Sequence, residues 1–423
     1  MLGATHETEI LVAGAGPVGL ALAGDLAWRG HRSIVVERSD GSIYQPKMDM
    51  VGIRTMEFCR RWGIVAKVEA SPYDRAYPQD NVYLTALNGY ELGREPMPAM
   101  RDEPVPPESP QHRERCPQNM FDPILRDFAA SYANTTLLYR HEFITFTQDE
   151  RGVAARIRNL ASNEEILVRA HYLIGCDGGR STVREQLAIP MHGKGVLTYS
   201  TNVIFRCAHL NALHDKKPGY RYIFIGPSGA WGTLVAINGR DQWRMSIIGS
   251  ALDQRTYSED ELKAFAYRML GRPFELEILS MLPWVRSELV AEHYGSGRVY
   301  LAGDACHLTS PTGGLGMNTS IADAVDLAWK LSARLDGWGG EHLLSSYTLE
   351  RKPIAERITR FSTGNLMTMK SARSSETLFA ATSEGDVVRR TVGHALTEGM
   401  KREWLCLKGT SNNWFAEAGL PNS

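Results

Sequence analysis

Residues 298–330 read RVYLAGDACHLTSPTGGLGMNTSIADAVDLAWK. A short apolar strand over 299–302 leads into Gly303-Asp304, and a glycine-rich turn over 311–316 opens a predicted helix whose apolar residues recur at helical spacing until Gly337. A carboxylate at a strand end accepts hydrogen bonds from a polyol, and a helix N-terminus offers backbone N–H groups to an anion. We therefore interpret this segment as one wall of a ligand site around which the chain is arranged.

The composition is that of a large protein with balanced charge. The 423 residues include 47 Lys+Arg and 48 Asp+Glu without a basic block, which argues against nucleic acid as the main partner. The six cysteines form no CxxC pair and no cluster with histidine, so we predict no metal site and expect reduced thiols in a cytoplasm.

An apolar stretch over 10–27 imitates a signal peptide. Glu7 and Glu9 precede it where a signal peptide has basic residues, and Asp25 and several glycines interrupt it. Elsewhere no run approaches the roughly 20 apolar residues of a membrane span. We therefore expect a soluble protein without a membrane partner.

The N-terminal segment combines a strand over 9–13, the sequence GAGPVG over 14–19, a helix to about residue 28 and a second strand over 33–36. An isolated GxGxxG is weak evidence, because tight turns use the same residues. Here the strand, the helix and an acid, Glu37, about 20 residues further on occur together, as in dinucleotide-binding sites. We therefore predict that a dinucleotide binds here.

The middle of the chain changes in character. An amphipathic helix is predicted within 46–63. The proline-rich segment that follows, over 71–117, contains a predicted hairpin near Asn88-Gly89 and is predicted to extend into another domain. A helix over 117–132 returns to the first domain. The following strands are predicted at 136–140, 153–159 and 166–168, as a small antiparallel sheet, and at 172–175.

Residues 196–290 alternate as strands around one helix over 259–270. This pattern predicts an antiparallel sheet with one solvated and one covered face, in a second domain inserted into the first.

Three motifs now stand in a fixed order: GAGPVG at 14–19, CDGGRS at 176–181, and GDACH with PTGGLGMN within 303–318. Together they resemble the single-component FAD-dependent aromatic hydroxylases, the class of phenol and 4-hydroxybenzoate hydroxylases, over roughly residues 8–365. The resemblance implies an α/β fold, in which a Rossmann-like FAD-binding domain carries an inserted α+β substrate domain built on a mostly antiparallel sheet.

The implied domains are discontinuous. The FAD-binding domain takes residues 1–75, 113–190 and 290–370, and the substrate domain takes 76–112 and 191–289. Residues 371–423 form a helical C-terminal tail without an assigned role, too short for the thioredoxin-like domain that phenol hydroxylase-like members carry.

By this resemblance the glycines of the first motif admit the pyrophosphate and Glu37 binds the adenosine ribose. Asp304 bonds a ribityl hydroxyl, and the amides of 315–318 face the flavin, whose reduced form is an anion that a helix N-terminus stabilises. The implied FAD-binding residues are Gly14, Gly16, Pro17, Gly19, Glu37, Arg38, Arg54, Gln118, Asp177, Gly178, Gly303, Asp304, Pro311, Gly314, Leu315, Gly316, Met317 and Asn318.

Some of these assignments have ordinary structural alternatives. Arg54 and Gln118 are expected at the phosphates and the ribityl chain, but a surface arginine and a polar helix cap fit the same positions. Asp177 and Gly178 belong to a segment that this family associates with FAD and nicotinamide together, although a strand-end turn uses the same residues. Since no second GxGxxG is present, we expect NADH or NADPH to dock transiently on the FAD domain.

The implied reaction is NAD(P)H- and O2-dependent hydroxylation of a phenolic ring through a flavin C4a-hydroperoxide, usually ortho to the existing hydroxyl. A phenol titrates near ~10, so a base beside its oxygen assists attack by the ring. Our candidate is Asp49, because phenol hydroxylase also has an acid at the matching position while other relatives have histidine. A helix cap or a turn residue is the alternative for Asp49.

The second catalytic candidate is Tyr222. Strand alternation puts Tyr220 and Tyr222 on one face and Arg221 on the other. If the tyrosine face covers the flavin, Tyr222 hydrogen-bonds the substrate or the hydroperoxide; packing in a core is the alternative. Arg221 or Arg244 is a candidate partner for a substrate carboxylate, although solvent-facing strand arginines are common.

Three other functions were weighed. A polyketide-type aromatic tailoring hydroxylase carries the same motifs and stays open, as does an FAD-binding protein without turnover. A flavin halogenase needs a Trp-x-Trp-x-Ile-Pro segment, which the nearest stretch, LPWVR at 282–286, does not match. We expect a small aromatic substrate, O2 and NAD(P)H as partners, and a homodimer stays open.

Overall fold

The computed structural model describes residues 2–252, 254–372 and 374–407. The α-helices in this part of the chain are α1 (Pro17–Trp28), α2 (Ile53–Arg61), α3 (Val65–Glu69), α4 (Gln118–Ala130), α5 (Thr182–Gln186), α6 (Glu259–Leu270), α7 (Gly316–Leu335), α8 (Leu343–Ser371) and α9 (Ser383–Leu407).

The strands form two large sheets and one short ribbon. They are β1 (Leu2–Ala13), β2 (Ser33–Glu37), β3 (Met50–Val51), β4 (Asn81–Leu84), β5 (Glu91–Glu95), β6 (Glu114–Arg115), β7 (Thr135–Tyr139), β8 (His141–Gln148), β9 (Val153–Asn159), β10 (Glu165–Gly175), β11 (Met191–Arg206), β12 (Arg221–Gly226), β13 (Gly229–Ala236), β14 (Gln242–Ile248), β15 (Glu277–Ala291), β16 (Gly295–Ser296), β17 (Val299–Leu301) and β18 (His307–Leu308).

The first sheet has the strand order β16-β17-β10-β1-β2-β7, and its central strands run parallel. Helix α1 packs against α4 and α7 on this sheet. Most buried positions of these strands are apolar, as expected where helices cover a parallel sheet. Because parallel strands end at the same edge, the loops that follow β1, β10 and β17 are neighbours.

Two expectations for this sheet were wrong, and one strand was not predicted. The strand predicted at 136–140 does not belong to an antiparallel sheet, since β7 pairs parallel with β2. The strands predicted at 166–168 and 172–175 are one strand, β10, which pairs with both β9 and β1. Strand β8 was not predicted; its side chains lack strict alternation of apolar and polar residues.

The second sheet has the order β18-β15-β11-β14-β13-β12-β4-β5 and is antiparallel except for β4 beside β12. The predicted hairpin is present as β4 and β5, and α6 has the predicted bounds. Side chains of β12, β13 and β14 pack against α6 in an apolar core that includes Phe224, Trp243 and Met269. The fold class is therefore confirmed, while the domain boundaries stay a prediction.

The opposite face of β12 is covered rather than solvated, contrary to expectation. Ile223 and Ile225 of β12 pack with Leu366 of α8 and with Leu396 and Met400 of α9. The C-terminal helices therefore complete a third apolar core, which a pattern within the strands alone does not reveal.

Candidate active site

The first glycine-rich turn depends on close backbone contact. Gly14 has φ +102°, and a Cβ there would lie 2.4 Å from the carbonyl oxygen of Cys176. A Cβ on Gly19 would lie 1.9 Å from the Gly14 carbonyl oxygen. Only glycine therefore lets the turn after β1 lie this close to the turn after β10 and to the first turn of α1.

The third motif, which contains Gly303, packs against the same region of the structure. Gly303 has φ +66°, and a Cβ there would lie 2.9 Å from Val18 Cγ2 and 3.1 Å from Ser320 Cβ. The 303–305 turn is thus held between the beginning of α1 and that of α7. Three segments that are distant in sequence converge at the carboxyl ends of β1, β10 and β17.

This convergence leaves groups that suit an anionic dinucleotide. The N-cap residues of α1 and α7 are Gly16 and Leu315, and neither N-terminus has a side-chain cap. A Cβ on Gly16 would meet no atom within 4 Å, so space is open beside the free N–H groups of α1. Asp304 between them is exposed, and no hydrogen bond of the described residues uses its carboxylate. The residues present therefore fit FAD.

Glu37 at the end of β2 stabilises the first glycine-rich turn through hydrogen bonds. Its Oε2 accepts a hydrogen bond from Ala15 N at 2.9 Å and its Oε1 accepts from Ser39 N at 2.9 Å. The carboxylate therefore lies directly beside the glycine-rich turn, and its role in binding the ribose stays a prediction. Arg38 is exposed.

Asp177 and Gly178 follow β10 at the same edge. Asp177 Oδ2 accepts a hydrogen bond from Val183 N at 3.1 Å, which orients the carboxylate toward α5. Burial raises the pKa of Asp177. Gly178 has φ +81° with open space around its Cα.

Two predicted phosphate or ribityl ligands have protein partners. The Arg54 side chain is 73% exposed and pairs with Glu57 on α2. Gln118 Oε1 accepts from Lys47 N at 3.1 Å, while its Nε2 donates to the buried Asp122. Gln118 thereby fixes the segment that precedes β3, and the cofactor roles of Arg54 and Gln118 stay predictions.

Asn318 links α7 to the beginning of α2 through side-chain hydrogen bonds. Its Oδ1 accepts from Gly52 N at 2.8 Å and from Thr55 Oγ1 at 2.7 Å, and its Nδ2 donates to Met50 O and Gly314 O. All four hydrogen-bonding positions of the amide are used. The 311–318 turn is therefore held rigidly, and the backbone amides of Leu315, Gly316 and Met317 stay the candidates that face a flavin.

A cavity of about 120 Å³ lies between this turn and the second sheet. It is comparable to the roughly 150 Å³ cavity that holds one benzene molecule. Pro311 and Gly314 form one wall, and Tyr220, Asn202 and Trp284 belong to the others. Its charged lining residues are Lys47, Arg113, Arg115, Arg221, Arg244, Arg286, Asp49 and Glu403.

Asp49 is held by two arginines in this cavity. The ribbon of β3 and β6 places Arg115 opposite Met50, so that Arg115 Nη1 donates to Asp49 Oδ1 at 3.3 Å. Arg244 Nη2 donates to Asp49 Oδ2 at 3.0 Å, and Tyr220, which lines the same cavity, also lowers the pKa of this carboxylate. Burial alone would raise the pKa of Asp49, but Arg244 and Arg115 outweigh it and hold the pKa below its ordinary value.

Tyr222 lies elsewhere, which corrects the expectation that it faces the flavin. It is fully buried in the core under α6, where its hydroxyl accepts a hydrogen bond from Gly219 N at 2.8 Å. Tyr220 lines the cavity instead, with the Arg115 guanidinium 3.5 Å from its ring centroid. Tyr220 precedes β12, so strand alternation does not carry back to it.

Sequence reasoning missed Arg115, Arg286 and Glu403 as cavity residues. Arg115 follows the proline-rich segment, whose chain path no local pattern fixes. Glu403 lies on α9, and only the packing of that helix against the second sheet brings it into the cavity. His307 is buried away from the cavity lining: its Nε2 is 2.7 Å from Asp323 Oδ2, and Asp323 also pairs with Arg351.

Comparison with protein families gives a match to the model described as "FAD binding domain" over residues 7–362. A putative polyketide hydroxylase of Streptomyces halstedii is 34% identical over 364 residues, which cover 84% of this chain and 64% of that protein. A 2,4-dichlorophenol 6-monooxygenase of Delftia acidovorans is 33% identical and covers 84% and 62%. The chain thus spans less than two thirds of these relatives.

Solved structures are also similar. The rebeccamycin biosynthetic enzyme RebC with reduced flavin superposes with a TM-score of 0.89 at 32% identity, over 97% of this chain and 76% of that one. Aklavinone-11 hydroxylase with FAD and aklavinone gives 0.79 at 30% identity, over 87% and 69%. Among the helices that the structure describes, none combines the length and apolar character of a membrane span.

Proposed function

Because the chain belongs to the FAD binding domain family, to which FAD-dependent aromatic hydroxylases also belong, we propose that it is an NAD(P)H- and O2-dependent monooxygenase that hydroxylates a phenolic ring. The observation that carries the proposal is the placement of Asp49, Arg115, Arg244 and Tyr220 in one cavity whose wall is the 311–314 turn. We propose hydroxylation ortho to the existing hydroxyl.

The chain offers distinct groups to each part of FAD. Gly14, Gly16 and Gly19, with the N-terminus of α1 that Pro17 begins, would hold the pyrophosphate, and Glu37 the adenosine ribose. Asp304 would bind the ribityl chain, and the N-terminus of α7 would bind the flavin ring. When bound, FAD supplies the redox chemistry, by taking a hydride from NAD(P)H and activating O2 for transfer of one oxygen atom.

Asp49 is the proposed acceptor for the substrate hydroxyl. Its pKa is held low by two arginines, so it stays ionised at neutral pH. A carboxylate offers about four lone-pair positions, and Arg115 and Arg244 each use one. A remaining position accepts the phenolic O–H, which increases electron density in the ring. A positioned acceptor of this kind typically contributes roughly 10²- to 10⁴-fold in rate.

The arginines and Tyr220 have supporting roles. Arg115 and Arg244 stabilise negative charge that develops on the phenolic oxygen and compensate for the low basicity of Asp49. Burial raises the pKa of Tyr220 well above its ordinary value, so its hydroxyl remains a donor.

A polyketide tailoring hydroxylase is the second candidate, since the Streptomyces halstedii relative is described as a polyketide hydroxylase. A cavity of about 120 Å³ has room for a single ring, so a fused ring system would have to extend beyond it. An FAD-binding protein without turnover is the third. The homodimer stays a prediction.

The test is oxidation of NADH and NADPH by the FAD-loaded protein with single-ring and multi-ring phenols, with peroxide quantified beside hydroxylated product. We expect a single-ring phenol to stimulate oxidation and to yield product in preference to peroxide. Preference for a multi-ring phenol supports the second candidate. Bound FAD without stimulation by any aromatic contradicts the hydroxylase proposal and supports the third.

A further inference from the structure

One arginine of the cavity is buried without an anionic partner. Arg286 is 6% exposed and lines the cavity, and its Nε has no hydrogen-bond partner. No ion pair among the described residues includes it. Burial, and then the charges of Arg221 and Arg244, lower the pKa of Arg286 to about 10. Burial, and then the charge of Arg286, lower the pKa of Lys370 on α8, so Lys370 is a further cation that interacts with Arg286.

The whole wall has an excess of positive charge. Arg113 pairs with Glu103 outside the cavity lining, at 2.8 Å. Five other cations remain, Lys47, Arg115, Arg221, Arg244 and Arg286, against two carboxylates. Burying a guanidinium without a counter-charge is unfavourable, so this wall is best satisfied by an anion that enters the cavity.

One carboxylate of the protein already occupies part of this region. Glu403 is buried, and Arg221 Nη1 donates to its Oε1 at 3.1 Å. Glu403 lies on α9, whereas every other charged residue that lines the cavity precedes residue 290 in the sequence. Burial raises the pKa of Glu403, so the ionised side chain is held at a cost in this position.

We propose that Arg286 and Arg221 form a carboxylate-binding subsite, so that the substrate is an aromatic acid that carries both a phenolic hydroxyl and a carboxylate. This inference rests on the proposed function. Asp49 accepts from the hydroxyl, and the guanidinium groups bind the carboxylate through the paired N–H donors that suit its geometry. Glu403 occupies the Arg221 side of the subsite until the substrate carboxylate displaces it.

The competing account is that the excess positive charge only offsets the negative charge of a reduced flavin. In that case the cavity would not distinguish a charged from a neutral substituent on the ring. The two accounts therefore differ in the ratio of affinities for matched ligands.

The test is calorimetric titration of the FAD-loaded protein, in its oxidised form, with 3-hydroxybenzoate and with 3-hydroxybenzamide, which differ little in size. We expect the acid to bind roughly 10- to 100-fold more tightly than the amide. Arg286→Met should remove most of this preference and leave amide binding nearly unchanged, and Arg286→Lys should keep part of it. Arg206→Met is the control, because Arg206 pairs with Glu277 at the surface of the same sheet.

Glu403→Gln tests the displacement separately. Without the competing charge, the acid should bind several-fold more tightly while the amide is unaffected. Equal affinity of the wild type for acid and amide overturns the subsite and leaves the hydroxylase proposal standing. Binding of neither, together with a failure of every phenol to bind, contradicts both. An acid preference that persists in Arg286→Met overturns the assignment to Arg286.

Discussion

Arg244 Nη2 donates to Asp49 Oδ2 at 3.0 Å and thereby joins β14 of the second sheet to the segment before β3. Arg115 holds the other oxygen of Asp49 at 3.3 Å. A carboxylate between two guanidinium groups keeps its charge even when it is largely buried. The contact therefore fixes both the position of the cavity and the ionisation state of its central acceptor.

Asp49→Asn should lower kcat roughly 100-fold, because an amide oxygen is a weaker acceptor than a carboxylate. The loss should be smaller for nitrophenols, which ionise more readily than phenol and depend less on an acceptor. Product formation over a series of phenols of different pKa measures both effects. Asp74→Asn is the matched control, since Asp74 accepts from Ala76 N in an exposed turn. A loss of the same size for every phenol would contradict the acceptor role.

Tyr220→Phe and Tyr222→Phe should have opposite consequences. Removing the Tyr220 hydroxyl removes a polar group of the cavity that helps to lower the pKa of Asp49, so we expect a lower kcat with little change in stability. Removing the Tyr222 hydroxyl leaves Gly219 N without its acceptor, which should lower the free energy of unfolding by about 1 kcal/mol without changing kcat. Steady-state rates and denaturant unfolding distinguish them, and the reverse pattern would show that the wrong tyrosine has been assigned to the cavity.

Gly14→Ala should abolish FAD retention. Gly14 and Gly30 have similar φ values, +102° and +98°, but only at Gly14 would a Cβ meet another residue, at 2.4 Å from the Cys176 carbonyl oxygen. Gly30→Ala therefore introduces the backbone strain of a positive φ without a steric clash of the added Cβ. We expect Gly14→Ala to lose about 1–3 kcal/mol more of unfolding free energy than Gly30→Ala, and FAD content to fall in Gly14→Ala only. Equal effects would argue against the close contact.

Glu95 should make stability depend on pH. Burial and then the charge of Glu403 raise the pKa of Glu95 to about 8, while Arg221, Tyr83 and Lys401 act in the opposite direction. In the unfolded chain the pKa of a glutamate is near ~4.3. Between this value and about 8, Glu95 binds a proton in the folded state but not in the unfolded state. The free energy of unfolding therefore falls as the pH rises through this window.

Glu95→Gln should therefore flatten the fall in unfolding temperature between pH 6 and pH 9. Asp122, whose pKa burial raises to about 7, contributes a fall in both proteins, so the difference between the two curves is the quantity to measure. Parallel curves would mean that Glu95 does not titrate in this range.

The sequence allowed prediction of the features that depend on local pattern. The glycines at 14, 19 and 303 occupy positions where a Cβ would meet backbone or packed side chains. Because such close contacts require glycine, they can be recognised in the sequence as glycine-rich motifs. The alternation in RYIFIG correctly put Arg221 and Tyr222 on opposite faces.

Alternation did not say which face is the core, because α6 and α9 decide that from distant positions in the chain. Glu403 could not have been predicted for the same reason. Arg115 reaches Asp49 through a two-residue ribbon after a proline-rich segment, and so short a pairing has no periodicity to detect.

The most direct test of the hydroxylase proposal is turnover under 18O2 with a phenol that stimulates NAD(P)H oxidation, followed by mass spectrometry of the product. We expect one labelled oxygen atom in each hydroxylated product, ortho to the original hydroxyl, and a much lower yield from Asp49→Asn. Oxidation of NAD(P)H that yields only peroxide, or a product that carries oxygen from water, would contradict the proposal that this cavity directs one oxygen atom of O2 to a phenolic ring.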